Sequence, residues 1–154
     1  MVLILHEAPL ALAQLAVAGP GRWPRLWAER ELLLERQHQI LHDLISARIL
    51  QMNAGNTAPA AAVEAANQRL LRQLRLHLRL EERWLGACGC LCPGHRAIHR
   101  LVARDSEAGW HQAGSDRQQQ LIWLQGLQAW LLEHTGGPDA RAYALARSIS
   151  PSQP

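Results

Sequence analysis

Apolar residues recur at intervals of three and four along most of the sequence, which is the spacing of one face of an α-helix. Stretches with this spacing lie at about residues 30–53, 59–86, 95–112 and 116–134. Alternation of period two and β-branched residues are both scarce, so no strand pattern competes. The pattern therefore predicts an all-α protein with four main helices.

Clusters of glycine, proline and small polar residues separate these stretches and predict where the helices end. Ser115 or Asp116 is expected to cap the fourth helix, and the run Gly136, Gly137, Pro138 is expected to stop it. A further short helix is expected at 141–147. Short connections between long helices favour antiparallel neighbours, so we expect an up-down four-helix bundle over residues 30–147. Residues 1–29 are expected to form an N-terminal arm and 148–154 a flexible tail.

Composition limits the kind of protein. The chain has 154 residues, of which 48% are apolar and 19% charged, as in a single globular domain. The net charge of +3 is small and no basic tail is present, which gives nucleic-acid binding little support. No apolar stretch approaches the roughly 20 residues of a membrane span. The apolar segment 1–18 lacks the basic start of a secretory signal, so we expect a cytoplasmic protein.

Histidine is the residue type that carries candidate chemistry. At about 100° per residue, the second helix places His77 and Glu81 on the same face as Leu70 and Leu74. The other helices repeat the arrangement, and the inward histidines are His38 and His42, then His95 and His99, then His134. A buried carboxylate among imidazoles is costly unless something compensates, and a metal ion does so. The alternative is a metal-free bundle whose polar groups satisfy one another.

Four segments carry a family resemblance: QH at 37–38, HLRLEE at 77–82, HRAIH at 95–99 and WLLEHTGGPD at 130–139. Together they resemble the hemerythrin family, in particular the single-domain bacteriohemerythrins, whose pattern is H, HxxxE, HxxxH and HxxxxD. The resemblance covers Glu35 to Asp139, about two thirds of the chain. It implies a four-helix bundle with a non-haem di-iron centre.

The resemblance also implies a role for each ligand. His95, His99 and His134 would bind one iron; His38 and His77 would bind the other and leave it an open position. Glu81 and Asp139 would bridge the two irons, together with an oxo or hydroxo group. Dioxygen would bind reversibly at the open position.

The implied function is an oxygen carrier or store, or a protein that delivers dioxygen to an oxygen-consuming partner, rather than an enzyme. Ferritin-like di-iron enzymes use mostly carboxylates and two Glu-x-x-His motifs, whereas only Glu35 and His38 have that spacing here. Nitrogen-rich ligation suits reversible binding better. The alternatives are a module that senses oxygen, redox state or nitric oxide, and a di-iron enzyme acting on peroxide or nitric oxide.

Residues around the ligands complete the expectations. Leu78, Trp130 and Leu131 are candidates for the dry wall of an oxygen pocket, or else plain core residues. Where the family commonly has Phe, this chain has His42, which we expect to face the core as a hydrogen-bonding neighbour of the site or a plain structural residue, with a proton source or an extra ligand as the alternatives. Thr135 replaces an aliphatic residue and is expected to admit water to the pocket. Cys88, Cys90 and Cys92 either fill a tight turn or form a redox or metal-sensing patch.

Overall fold

The computed structural model describes residues 23–55 and 57–150, and all regular structure in those ranges is helical. The helices are α1 Trp27–Asn53, α2 Ala60–Ala87, α3 Pro93–Ala113, α4 Arg117–His134 and α5 Ala140–Ile149, with a π-helical turn Thr135–Asp139 between the last two. The all-α prediction is confirmed. α1 begins inside the expected arm, while most of that arm and residues 151–154 of the expected tail lie outside the described residues.

Local chemistry explains several helix ends. Asp116 caps α4, because its Oδ1 accepts hydrogen bonds from the backbone N–H groups of Gln118 and Gln119 at 2.9 and 3.1 Å. Cys92 caps α3 in the same way, since its Sγ accepts from His95 N at 3.3 Å. Gly114 adopts a φ of 51° in the turn between these helices, which a residue without a side chain adopts at little cost.

The four long helices form a closed antiparallel ring, in which α1 packs on α2 and α4 while α3 packs on α2 and α4. Two apolar clusters fill the interior. The Met52 cluster consists of Leu41, Ile45, Met52, Leu70, Leu74, Leu78, Val102, Leu124, Leu127 and Leu131. The Trp84 cluster consists of Trp27, Leu34, Leu80, Trp84, Leu85, Cys90, Ala142, Tyr143 and Ala146. Since α1 and α3 run from the second cluster to the first and α2 and α4 run back, the predicted up-down bundle is confirmed.

A layer of buried polar residues separates the two clusters. On α1, His38 lies between Leu34 of the Trp84 cluster and Leu41 of the Met52 cluster. His77, His99 and His134 each lie within three residues of a member of the Met52 cluster. Apolar side chains therefore enclose this layer on both sides along the bundle axis. Over the described ranges, every helix is too short or too polar to cross a membrane.

The end of α4 differs from the prediction. Gly136, Gly137 and Pro138 were expected to stop the helix, but the chain continues through the π-helical turn into α5. Proline in an α-helix clashes with the carbonyl one turn earlier, and the wider π-helical turn separates the two groups. The predicted short helix at 141–147 is confirmed as α5, which packs against α1 and α2.

Candidate metal centre

The seven predicted ligands come together in the polar layer and form two overlapping groups. The first group contains Glu81, His95, His99, His134 and Asp139; the second contains His38, His77, Glu81 and Asp139. Within each group the candidate ligand atoms all lie within 4.8 Å of one another, and every one of these residues is buried. Glu81 and Asp139 belong to both groups. The cluster could therefore hold a metal ion.

Helix geometry positions these side chains. His77 and Glu81 are four residues apart on α2, as are His95 and His99 on α3, so each pair projects from one face on successive turns. His134 and Asp139 are five residues apart, a spacing that an α-helix places well off a common face. The π-helical turn, whose hydrogen bonds join residues five apart, brings them to the same side.

The imidazole nitrogens of the first group are packed closely. Nε2 of His134 lies 3.1 Å from Nε2 of His95 and 3.0 Å from Nε2 of His99. Oδ1 of Asp139 lies 2.9 Å from Nε2 of both His134 and His95. A neutral imidazole nitrogen carries either one proton or one lone pair, so no placement of protons turns all these contacts into hydrogen bonds.

A cation at the centre of the group would satisfy all these contacts together. Two ligand atoms at about 2.1 Å from a metal ion and at right angles to each other are about 3.0 Å apart. The nitrogen separations of 3.0 and 3.1 Å match this spacing. The donor set thus fits a metal ion with octahedral angles better than it fits a hydrogen-bonded network.

The second group shows the same features. Nε2 of His38 lies 3.1 Å from Nε2 of His77 and 3.1 Å from Oδ2 of Asp139. Nε2 of His99 approaches Oε2 of Glu81 to 3.0 Å. Neither Oδ2 of Asp139 nor Oε2 of Glu81 has a partner in hydrogen-bonding geometry among the described residues. Buried carboxylate oxygens of this kind are costly, and coordination to a cation removes the cost.

Charges within the layer favour a cation. Burial opposes the ionisation of Asp139, but the imidazoles of His134, His38 and His95 hold its pKa well below the ordinary value. Burial lowers the pKa of His77 to about 4, which keeps this imidazole neutral at pH 7. Burial also disfavours the charged form of His38, but the adjacent Asp139 carboxylate outweighs it and raises the pKa. Metal binding requires ionised carboxylates and neutral imidazoles, and it displaces whatever protons the histidines carry.

Two polar residues outside the groups orient the histidines, and the sequence analysis did not identify them. Gln37 Oε1 lies 3.1 Å from Nδ1 of His77, and Glu82 Oε1 lies 3.2 Å from Nδ1 of His99. Both oxygens can only accept, so each imidazole carries its proton on Nδ1 and directs the Nε2 lone pair into the layer. The available signal was their position, since each is the sequence neighbour of a predicted ligand.

Tyr143 is a third residue that the sequence analysis missed. Its hydroxyl donates a hydrogen bond to Oε1 of Glu81, and its side chain is only 2% exposed. The ring stacks nearly parallel to that of His38, with centroids 6.1 Å apart. Burial and the charge of Glu81 raise the pKa of Tyr143, so it remains a proton donor at neutral pH. The available signal was that a core-facing tyrosine on the predicted short helix needs a polar partner.

The proposed pocket residues have different environments. Leu78 and Leu131 are buried in the Met52 cluster, on the side of the polar layer facing that cluster. Trp130 is half-buried and stacks on the ring of His134, with centroids 4.6 Å apart. Thr135 was expected to offer a hydroxyl to the pocket, but its Oγ1 donates to the backbone carbonyl of Leu132 at 3.3 Å. The threonine hydroxyl is therefore occupied by its own helix.

His42 does not face the core as predicted. Its side chain is 44% exposed and belongs to neither group, and its closest charged neighbour is Asp43, 3.6 Å from Nδ1. Leu41 and Ile45 occupy the buried positions of this part of α1, and His42 lies beside them on the flank of the helix. Its expected roles as an extra ligand and as a neighbour of the site therefore have no support in its position.

The three cysteines are all reduced, and each makes a local packing or backbone contact. Cys88 donates from Sγ to the backbone carbonyl of Leu85, Cys90 packs in the Trp84 cluster, and Cys92 caps α3. Burial raises the pKa of Cys90 to about 11, which disfavours the reactive thiolate. These contacts favour the interpretation of a tight turn filled by small residues.

Comparison of the chain with protein-family models, with curated proteins and with solved structures finds no match. Membership of the hemerythrin family therefore stays a prediction from the sequence. The candidate metal centre depends on the geometry of its own residues.

Proposed function

We propose that the two groups hold two iron ions and that the protein binds dioxygen reversibly at this centre, as a hemerythrin-like carrier or store. The observation that supports this most directly is the difference between the groups. One contains three histidines and the other contains two, while both share Glu81 and Asp139. Two iron ions, one in each group and both bound to Glu81 and Asp139, would therefore have different numbers of protein ligands.

The difference leaves room for a small ligand on one side. His95, His99, His134, Glu81 and Asp139 would hold the first ion, and one shared solvent-derived group would complete six ligands. His38, His77 and the two carboxylates would hold the second ion, which would then have one position free for a small ligand. Iron in such a centre supplies the electrons that reversible dioxygen binding requires.

The surroundings favour binding over turnover. The Met52 and Trp84 clusters enclose the polar layer and limit access of water, which protects a bound gas from side reactions. Tyr143 holds Glu81 in position through its hydroxyl and keeps its proton at neutral pH. The second candidate is an enzyme acting on peroxide or nitric oxide, which the same hydroxyl favours because it is a buried proton donor beside His38.

Optical spectroscopy of the iron-loaded protein tests the proposal. We expect two irons per chain and a visible charge-transfer band that appears on exposure to dioxygen and disappears on degassing, over repeated cycles. His42→Phe is a matched control, because it changes a histidine of α1 outside both groups and should leave the iron content and the band intact. Fast consumption of peroxide or nitric oxide without a reversible dioxygen spectrum would support the enzyme instead. Failure to bind iron would refute both.

A further inference from the structure

A second polar site lies at the end of the bundle where α1 and α3 finish and α2 and α4 begin. It is an open pocket of about 520 Å³, and its lining includes Arg48, Glu64, Trp110 and Arg117. Met52 also lines it, so the Met52 cluster separates this pocket from the metal centre. The two sites can therefore be perturbed independently.

Two arginines line this pocket, and neither forms an ion pair with an acidic side chain among the described residues. Arg48 is only 9% exposed, and its Nε makes no hydrogen bond within the described residues. The one hydrogen bond of its side chain among the described residues is the donation from Nη1 to Oε1 of Gln51 at 2.6 Å. Arg117 donates to the backbone carbonyl of Met52. Burial, and then the nearby charge of Arg117, lower the pKa of Arg48. A buried cation facing a like charge is costly, and an anion would relieve that cost.

Glu64 lies in the same pocket but pairs with neither arginine. Its Oε2 accepts from Nε1 of Trp110 at 3.1 Å, and its Oε1 accepts from Nε2 of Gln68 at 2.8 Å. Both oxygens are thus held by neutral donors. With two arginines and one glutamate, the pocket keeps a net positive charge.

The start of α2 adds to this positive potential. Within the described part of the chain, no side chain caps this 28-residue helix, and its first turn contains no acidic residue. Thr57, Ala58 and Ala60, at this end of the helix, line the pocket. Backbone N–H groups at an uncapped helix start point outward with partial positive charge and bind anions. α3 and α4, in contrast, are capped by Cys92 and Asp116.

We propose that this pocket binds a small organic oxyanion, a carboxylate or phosphate whose head group lies between Arg48, Arg117 and the start of α2. Arginine forks bind planar carboxylates and phosphates through paired charge-assisted hydrogen bonds. The pocket exceeds the size of a bare phosphate ion, and Met52, Val63 and Trp110 offer apolar surface to the rest of the ligand. The ligand class is therefore an anion with an apolar body.

Calorimetric titration of the iron-loaded full chain tests this with four probes: phenyl phosphate, benzoate, inorganic phosphate and neutral benzyl alcohol. We expect binding of phenyl phosphate or benzoate, weaker binding of inorganic phosphate and none of benzyl alcohol. The stronger of the two aromatic anions identifies the preferred head group. Equal binding of benzyl alcohol, or no binding of either aromatic anion, would overturn the proposal.

Substitutions of Arg48 and Arg117 test whether these two residues bind the anion. Arg48→Met and Arg117→Gln should each weaken binding about tenfold to hundredfold, the usual effect of losing a charge-assisted hydrogen bond. Arg104→Gln is the matched control, because Arg104 is an exposed arginine paired with Asp105 away from the pocket. Melting temperature and iron content verify that each variant is folded. Since Arg117 is on the surface, Arg117→Gln remains informative if Arg48→Met does not fold. Equal affinity in the wild type and Arg117→Gln would refute the site.

Discussion

Asp139 connects the two halves of the candidate centre, and replacing it with asparagine tests this connection. Its Oδ1 lies 2.9 Å from Nε2 of His95 and of His134, and its Oδ2 lies 3.1 Å from Nε2 of His38. Asp139→Asn preserves the size of the side chain but removes its charge and replaces one oxygen with an NH₂ group, which does not coordinate metal. Both groups of ligands lose a member at once.

The expected effect on the metal-free protein follows from burial. Asp139 is only 1% exposed, and breaking a buried ion pair by removing one partner costs about 3–5 kcal/mol. For a chain of this length each kcal/mol lowers the melting temperature by about 2–4 °C, so we expect a decrease of about 6–20 °C. The iron content should fall from two per chain to a trace. His77→Gln changes only the second group and should retain one iron.

The assay is iron per chain after reconstitution and desalting, combined with the melting temperature of the metal-free protein. The comparison of Asp139→Asn with His77→Gln separates a shared ligand from a ligand of one group. Two irons in Asp139→Asn would show that this carboxylate is not shared between the groups as the geometry indicates. Complete loss in His77→Gln would show that the first group does not hold an ion without the second.

Three further predictions concern two neighbours of the candidate ligands, Glu82 and Tyr143, and one candidate ligand, His77. Glu82→Gln weakens the acceptor for Nδ1 of His99, so iron affinity should fall about tenfold to hundredfold in competition with a chelator, and unchanged affinity would contradict an orienting role. Tyr143→Phe removes a hydrogen bond to the Glu81 carboxylate and should destabilise the protein to urea by about 1.5–3 kcal/mol while iron binding survives; no loss of stability would contradict it. Burial lowers the pKa of His77 from 6.5 to about 4. Neutral His77 therefore adds to the free energy of unfolding of the metal-free protein above pH 6.5, and this contribution of about 3 kcal/mol is lost as the pH falls to about 4. Urea unfolding across this range should show a smaller pH dependence in His77→Gln, and equal slopes would refute the assignment.

The predictable part of the centre is the part that helix periodicity controls. His77 with Glu81, and His95 with His99, are pairs four residues apart within regular helices, so their sequence spacing alone places them on one face. The apolar residues on either side then determine that this face is the buried one. Periodicity therefore predicts the four helices and brings Glu81 and the five candidate histidine ligands into one core, whereas Asp139 is expected only from the family resemblance.

The less predictable part depends on local departures from that period. Glycine and proline at 136–138 predict the end of the helix. The chain instead continues through a π-helical turn, because α5 packs against α1 and α2. His42 is close to the face of His38 on a helical wheel, yet Leu41 and Ile45 take the buried places. Helical angle alone does not resolve positions at the edge of a buried face, because neighbouring helices determine where that edge falls.

The polar pocket at the end of the bundle has no equivalent signal in the sequence. Arg48 belongs to α1 and Arg117 begins α4, and they approach only because the antiparallel bundle places the end of one helix beside the start of another. On a helical wheel Arg48 shares the buried face of Leu41, Ile45 and Met52, so its spacing alone predicts burial. Its approach to Arg117 and to the start of α2 requires the packed structure.

The two sites also differ in how the bundle tolerates them. In the polar layer, Glu81 and Asp139 offset the imidazoles, so the layer contains both signs of charge and folding does not require a bound cation. At the end of the bundle Glu64 pairs with neither arginine, so the pocket keeps a net positive charge; Arg117 is exposed to solvent, while Arg48 is buried. A layer that contains both signs of charge is therefore compatible with full burial between the Met52 and Trp84 clusters. The net positive pocket lies instead at the open end of the bundle.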